Sequence, residues 1–171
     1  MSERTGVITF KGNPLTLIGA EVKVGDKASD FSVTDNGLAP KTLADYKGKV
    51  LILSAVPSLD TPVCDMETRR FNNEAAKLGD DIAILTLSMD LPFAQARWCG
   101  AAGVEAVKTL SDHKDASFGE GYGVLIKELR LLSRAVFVVG KDGVVEYVQY
   151  LKEITEEPDY DAALAAATKL V

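Results

Sequence analysis

The chain has 171 residues, a formal net charge of −6 and no dense run of lysine or arginine. A chain of this charge repels a phosphate backbone, so the composition argues against nucleic-acid binding. We find no apolar run as long as a membrane-spanning helix and no signal-peptide core near the N-terminus, so we expect no membrane association and a cytoplasmic location. The length is usual for one domain, which we assign to residues 1–171.

The first predicted element is a β-hairpin. Residues 7–10 and 15–24 have the composition of strands, and the residues between them contain Gly12 and Pro14, which favour a turn. We treat residues 1–25 as an N-terminal hairpin extension of the domain.

A strand–helix–strand unit follows. The continuous apolar runs at residues 50–56 and 82–87 predict strands that are buried on both faces. The residues between them predict a helix over 62–78, with an apolar face that includes Phe71 and a stop at Gly79.

The second half of the chain predicts a helix over residues 92–102 and a short strand over 104–110. An Asp-Gly pair between the β-rich runs 134–139 and 144–150 predicts a second hairpin, and Pro158 opens a last helix. This order of elements indicates an α/β fold with a central mixed sheet flanked by helices, as in thioredoxin-like proteins.

The chain has few groups suited to catalysis: two cysteines and one histidine. A structural zinc site needs about four Cys or His ligands, and no Gly-rich phosphate loop is present, so we expect neither a metal nor a cofactor. His113 follows a serine and an aspartate, but a solvated surface histidine explains it more simply than a Ser/His/Asp triad. The remaining candidate is cysteine redox chemistry.

Cys64 falls in the first turn of the predicted helix over residues 62–78. Thr61 suits the N-cap and Pro62 the first helical position. The unpaired N–H groups and the positive end of the helix dipole favour a thiolate there. A small apolar residue packed at a helix start fits the same pattern, so the local sequence leaves both interpretations open.

Cys99 follows Trp98 late in the next predicted helix. Taken alone, it is better interpreted as a buried, unreactive thiol. The two cysteines do not form a C-x-x-C motif. They could still pair in space, because a disulfide requires only Cα atoms about 4.4–6.8 Å apart.

Pro57, Thr61 and Cys64 have the spacing Pro-x-x-x-Thr-x-x-Cys, which resembles the active-site motif of the peroxiredoxins. Longer segments resemble one bacterial subfamily, the thiol peroxidases or atypical two-cysteine peroxiredoxins. Those segments are residues 60–72, 88–100 and 153–160. The resemblance covers essentially the whole chain, including the N-terminal hairpin, and implies a thioredoxin-like fold.

The resemblance assigns roles to five residues. Cys64 matches the peroxidatic cysteine and Cys99 the resolving cysteine. Thr61 matches the hydroxyl that hydrogen-bonds the thiolate and the peroxide, and Pro57 matches the proline that shields the pocket from water. Arg134 matches the arginine that completes the site from a neighbouring strand.

The family's activity is the reduction of hydrogen peroxide and organic hydroperoxides. The resemblance implies a Cys64 sulfenic acid, an intramolecular Cys64–Cys99 disulfide, recycling by thioredoxin, no cofactor, and a homodimer. A disulfide oxidoreductase on the same fold is disfavoured by the missing C-x-x-C motif. A redox-sensing thioredoxin-fold binding protein and an inert adaptor stay as alternatives.

Overall fold

The computed structural model describes residues 2–171, so Met1 of the predicted extension lies outside the described part. It contains a large mixed sheet and a small antiparallel one. The strands of the large sheet are β3 (Ser32–Thr34), β4 (Pro40–Thr42), β5 (Val50–Ala55), β6 (Ile82–Ser88), β7 (Lys108–Ser111), β9 (Ala135–Val139) and β10 (Val145–Tyr150). Their spatial order is β10-β9-β5-β6-β7-β3-β4. The small sheet consists of β1 (Glu3–Phe10), β2 (Asn13–Ile18) and β8 (Leu125–Ile126).

Strand β5 is central and buried on both faces. It pairs in parallel with β6 and antiparallel with β9, which makes the sheet mixed. Leu51 and Leu53 pack into the core beside Phe118, whereas Ile52 packs into the core beside Phe71 on the other face. The apolar run at residues 50–56 is therefore explained by burial of alternate side chains on opposite faces, and the predicted α/β class is confirmed.

The helices are α1 (Pro62–Leu78), α2 (Pro92–Ala102), α3 (Ser117–Gly121) and α4 (Tyr160–Thr168), with a short 3-10 turn at Leu43–Tyr46. Helices α1 and α2 have the bounds that the sequence predicted, 62–78 and 92–102. The last helix begins at Tyr160 rather than Pro158, because Asp159 caps it by accepting a hydrogen bond from the N–H of Ala162. Within residues 2–171, none of the helices has both the length and the apolar character needed to cross a membrane.

Two predicted strands are too long. The strand predicted over residues 104–110 begins only at Lys108, because the N–H groups of Ala106 and Val107 donate to the Asn72 side chain instead of a neighbouring strand. The strand predicted over 15–24 ends at Ile18. Gly19 then has a φ of +102° and packs so closely on the Glu120 carbonyl that a side chain would overlap it.

The N-terminal hairpin is fixed to the body of the protein near the segment that precedes α4. The N–H of Ile154 donates to the Thr9 carbonyl at 3.0 Å. The Glu153 carboxylate accepts hydrogen bonds from the N–H of Gly12 (2.9 Å) and from the hydroxyls of Thr9 (3.0 Å) and Thr155 (2.8 Å). These bonds lower the pKa of Glu153 to about 2, and the hydrogen bond from Gly12 has the largest effect.

This pKa predicts a specific dependence of stability on pH. Because the pKa of Glu153 falls from 4.5 to about 2 on folding, the unfolded chain takes up the proton first as pH falls. The stabilising contribution is present above about pH 4.5 and is lost toward pH 2. We expect Glu153→Gln to lower the thermal midpoint at pH 7, and the difference from wild type to shrink at pH 3.

The measurement is thermal unfolding followed by circular dichroism. Glu156→Gln is the matched control, because the Glu156 side chain is exposed and forms no hydrogen bond to another residue within 2–171. If the thermal midpoints of Glu153→Gln and wild type differed by the same amount at pH 7 and pH 3, the lowered pKa of Glu153 would be contradicted.

Candidate active site

Cys64 is the third residue of α1, directly after the loop that leaves β5. Thr61 is the N-cap residue and Pro62 the first helical residue, as the sequence predicts. The Cys64 side chain is a free thiol, fully buried in a small apolar cluster with Val56, Leu59 and Trp98. The sulfur therefore lies in a dry environment at the positive end of a helix.

Arg134 contacts this sulfur directly: its Nη2 donates to Cys64 Sγ at 3.1 Å. Strand pairing explains how residues so far apart in sequence meet. Ala55 at the end of β5 pairs with Ala135 at the start of β9, so Arg134 lies beside the loop that leads into α1. A guanidinium is always charged, so in this buried site a positive charge lies in hydrogen-bond contact with the sulfur.

Buried groups on α1 and on the segment before α4 hold the Arg134 guanidinium, and Ser54 on β5 holds one of them. Its Nη1 donates to the Glu67 carboxylate and its Nε to the Ile154 carbonyl at 2.9 Å. Ser54 Oγ donates to the other Glu67 oxygen at 2.6 Å. Burial by itself lowers the pKa of Arg134, but the charges of Glu67 and Cys64 outweigh burial, so the net pKa is raised. Burial raises the pKa of Glu67, and Arg134 opposes that rise.

Glu67 is not among the predicted site residues, although the sequence contains a signal for it. Cys64, Glu67, Thr68 and Phe71 follow the i, i+3, i+4, i+7 spacing of one helical face, and all four are buried. A carboxylate on a face that packs into the core requires a buried partner. Glu67 in that position therefore indicates a buried cation close to Cys64.

A cavity of about 260 Å³ brings together three residues that the resemblance singled out: Pro57, Thr61 and Arg134. Its other lining residues come from the hairpin, the first turn of α1 and the segment before α4. They are Phe10, Lys11, Pro62, Val63, Ile154 and Thr155. The sequence did not indicate that the N-terminal hairpin forms one wall of this cavity.

Thr61 has a different hydrogen-bond partner from those implied by the resemblance. Its Oγ1 donates to the Ser58 carbonyl at 3.0 Å. Since a hydroxyl has one hydrogen and two lone pairs, Thr61 retains the capacity to accept a hydrogen bond from a molecule in the cavity.

The structure does not place Cys99 beside Cys64. Cys99 is half-buried and free, and its Sγ lies 3.3 Å from Thr109 Oγ1 on β7. Arg134, which touches Cys64, immediately precedes β9, three places from β7 in the sheet. The side chains that pack around Cys64 are those of Val56, Leu59 and Trp98, whereas Cys99 contacts the sheet at β7, so the two free thiols are not paired.

Helix α2 is attached to α1 through Trp98. Its Nε1 donates to Asp65 at 3.4 Å, and Arg69 pairs with Asp65 and lies over the indole ring, 5.8 Å from its centroid. Arg69 also donates to the Ala102 carbonyl at 3.3 Å. It therefore joins two helices rather than acting on Cys64.

His113 does not form a triad. Its Nδ1 lies 2.9 Å from Ser111 Oγ, but the Asp112 carboxylate accepts from the N–H groups of Phe118 and Gly119 instead. Burial raises the pKa of Asp112 to about 6. In the part of the chain that the structure describes, no group of three His, Cys, Asp or Glu side chains could hold a metal ion.

Comparison with known proteins agrees with this geometry. Residues 23–164 match the model of the Redoxin family. The thiol peroxidase of Bacillus subtilis is 62% identical over 164 residues, which cover 96% of this chain and 98% of that protein. The thiol peroxidase of Halalkalibacterium halodurans is 62% identical over 160 residues, covering 94% and 96%. The crystal structure of a peroxiredoxin-like protein from Aquifex aeolicus is 42% identical, has a TM-score of 0.91 and covers 98% of both chains.

These matches extend over nearly the full length of this chain, so they include the elements that carry Cys64, Arg134 and Cys99. The chain therefore belongs to the Redoxin family and, within it, to the thiol peroxidases.

Proposed function

We propose that Cys64 reduces hydrogen peroxide and organic hydroperoxides, with Arg134, Thr61 and Pro57 completing its site. The observation that carries the proposal is the 3.1 Å contact between Arg134 Nη2 and Cys64 Sγ, beside the cavity that Pro57 and Thr61 line. A buried cation on the sulfur supports a reactive thiol over a merely packed one.

In the first step the Cys64 thiolate attacks one peroxide oxygen. The O–O bond breaks, Cys64 becomes a sulfenic acid, and the other oxygen takes up a proton and leaves as water or an alcohol. A free thiol is roughly 3% ionised at pH 7, so full ionisation supplies only about 30-fold. The rest must come from aligning the O–O bond and stabilising charge on the leaving oxygen, to which Thr61 and Arg134 contribute.

The cavity wall favours substrates with an apolar group. Phe10, Val63 and Ile154 contribute apolar side chains next to Arg134. An alkyl chain bound against them would leave the hydroperoxide group beside the guanidinium. We therefore include organic hydroperoxides among the substrates.

In the second step Cys99 attacks the Cys64 sulfenic acid, which gives the disulfide and water. The separation of the two cysteines means that α2, or the start of α1, must loosen first. We propose that a dithiol protein of the thioredoxin type then reduces the disulfide by exchange.

We also propose a homodimer. Met66, Leu91 and Phe93 are large apolar side chains that are 49%, 55% and 69% exposed. Met66 is the fifth residue of α1, and Leu91 and Phe93 lie at the start of α2. Both helices follow the C-terminal ends of the parallel strands β5 and β6, so these exposed apolar residues lie toward one end of the sheet and support a protein–protein contact there.

The domain organisation and the location are proposals as well. The hydrogen bonds between Thr9 and the segment at residues 152–154 support folding of the hairpin and the α/β body as one domain. Two unpaired cysteines fit a reducing compartment, which supports the cytoplasm.

Mass spectrometry tests the assignment of the two cysteines. After one equivalent of hydroperoxide, we expect the wild-type protein to lose two hydrogens by forming the Cys64–Cys99 disulfide. Cys99→Ser should instead gain one oxygen on Cys64, and Cys64→Ser should remain unchanged. Oxidation of Cys64→Ser at the wild-type rate would refute the peroxidatic role, and repeated turnover with a dithiol reductant separates a peroxidase from a redox sensor.

Thr61→Val tests the positioning role of the hydroxyl. We expect peroxide reduction to slow at least about 10-fold, as loss of one hydrogen bond of ~1.4 kcal/mol predicts. The thiolate fraction, followed by ultraviolet absorbance, should change less. Thr68→Val is the matched control, because Thr68 lies on the helix that Thr61 caps and its buried hydroxyl has no hydrogen-bond partner among the described residues. Equal losses of rate and thiolate in Thr61→Val would count against positioning.

A further inference from the structure

We propose that Thr109 and Asn36 form a latch that holds Cys99 in the reduced enzyme and limits the rate of disulfide formation. The proposal rests on the role of Cys99 as resolving cysteine. It assigns a positioning function to two residues that lie outside the cavity lined by Pro57, Thr61 and Arg134.

Hydrogen-bond directions define the latch. Thr109 Oγ1 donates to Asn36 Oδ1 at 3.0 Å, and Cys99 Sγ lies 3.3 Å from the same Thr109 oxygen. Since Thr109 has only one hydroxyl hydrogen and Asn36 uses it, the Cys99 S–H must be the donor to Thr109. The Cys99 thiol is therefore held in place by the hydrogen bond that it donates to Thr109.

The two latch residues, Thr109 and Asn36, belong to the sheet and a loop beside it, whereas Cys99 belongs to a helix. Thr109 is 3% exposed, and β7, which carries it, pairs with both β6 and β3. Asn36 lies in the loop after β3, which the Asp35 carboxylate closes by accepting from the N–H groups of Gly37 and Ala39, both at 2.9 Å. The part that can move is the end of α2, which carries Cys99 and ends at Gly103 in the left-handed conformation.

Resolution requires the latch to open. Cys99 must leave Thr109, lose its proton and approach Cys64 as a thiolate. The S–S bond then forms as the S–O bond of the sulfenic acid breaks, and the hydroxide that leaves takes up a proton to become water. Because the latch stabilises only the starting state, it raises the barrier to this step.

Whether loss of the Thr109 hydroxyl speeds or slows disulfide formation distinguishes a latch from a group that prepares Cys99 for reaction. If Thr109 prepared Cys99 for reaction, removing its hydroxyl would slow disulfide formation. A latch predicts the opposite: the sulfenic acid should be resolved faster and should therefore be less exposed to a second peroxide, which converts it to sulfinic acid.

Rapid mixing with hydroperoxide can follow both steps through Trp98. It is the only tryptophan, it adjoins Cys99 in sequence, and it packs against Cys64. The first fluorescence phase should depend on peroxide concentration and the second, disulfide formation, should not. We expect Thr109→Val to accelerate the second phase about 2- to 5-fold, the lower part of the range for one hydrogen bond because S–H is a weak donor.

Two further variants make the result specific. Thr109→Ser keeps the hydroxyl and should restore the wild-type second phase. Thr86→Val is the matched control, because Thr86 pairs with Thr109 on the adjacent strand and its buried hydroxyl has no partner. At excess peroxide, Thr109→Val should also accumulate less Cys64 sulfinic acid, measured by mass spectrometry.

Two outcomes would overturn the proposal in distinguishable ways. A second phase in Thr109→Val that is unchanged or slower, while Cys99→Ser lacks that phase, refutes the latch and leaves the peroxidase mechanism intact. A second phase that persists in Cys99→Ser refutes the resolving role of Cys99, and the latch with it.

Discussion

The buried guanidinium of Arg134 is the constraint on which the rest of the site depends. A charge withdrawn from water is tolerated only when its surroundings supply compensating charge and hydrogen-bond acceptors. Here the acceptors are Cys64, Glu67 and the Ile154 carbonyl, and they come from α1 and from the segment before α4. The ion pair between Arg134 and Glu67 therefore fixes the relative positions of these elements. Arg134 Nη2, which Glu67 and Ile154 leave free, points at the Cys64 sulfur.

The N-terminal hairpin belongs to the same arrangement. The segment at residues 152–155 accepts a hydrogen bond from Arg134 at one of its carbonyls. The same segment also binds the hairpin, through backbone hydrogen bonds and through the Glu153 side chain. The hairpin in turn supplies Phe10 and Lys11 to the cavity wall. An element remote from Cys64 in sequence thus forms one wall of the cavity beside Arg134, which links the stability of the extension to the shape of that cavity.

The two cysteines have opposing requirements. Attack on a peroxide benefits from a rigid, dry pocket, and the Cys64 surroundings provide it. Formation of a disulfide requires the helices to separate, yet Trp98, Asp65 and Arg69 connect α2 to α1. Both thiols are free in this structure, as the proposed first step requires. Under the proposed mechanism, the contacts between the helices and around Cys99 would set the barrier to the second step.

The sequence by itself determined the central strands, both long helices and the Pro57, Thr61 and Cys64 spacing, because these features depend on local periodicity, capping and motif. The strand predictions for residues 19–24 and 104–107 were wrong, because a close backbone approach at Gly19 and hydrogen bonds to the distant Asn72 side chain limit those strands. Only the tertiary structure decided that Glu67 and Ile154 hold Arg134 and that Cys99 faces Thr109. Those contacts depend on strand register and helix packing, which bring together residues that no local pattern connects.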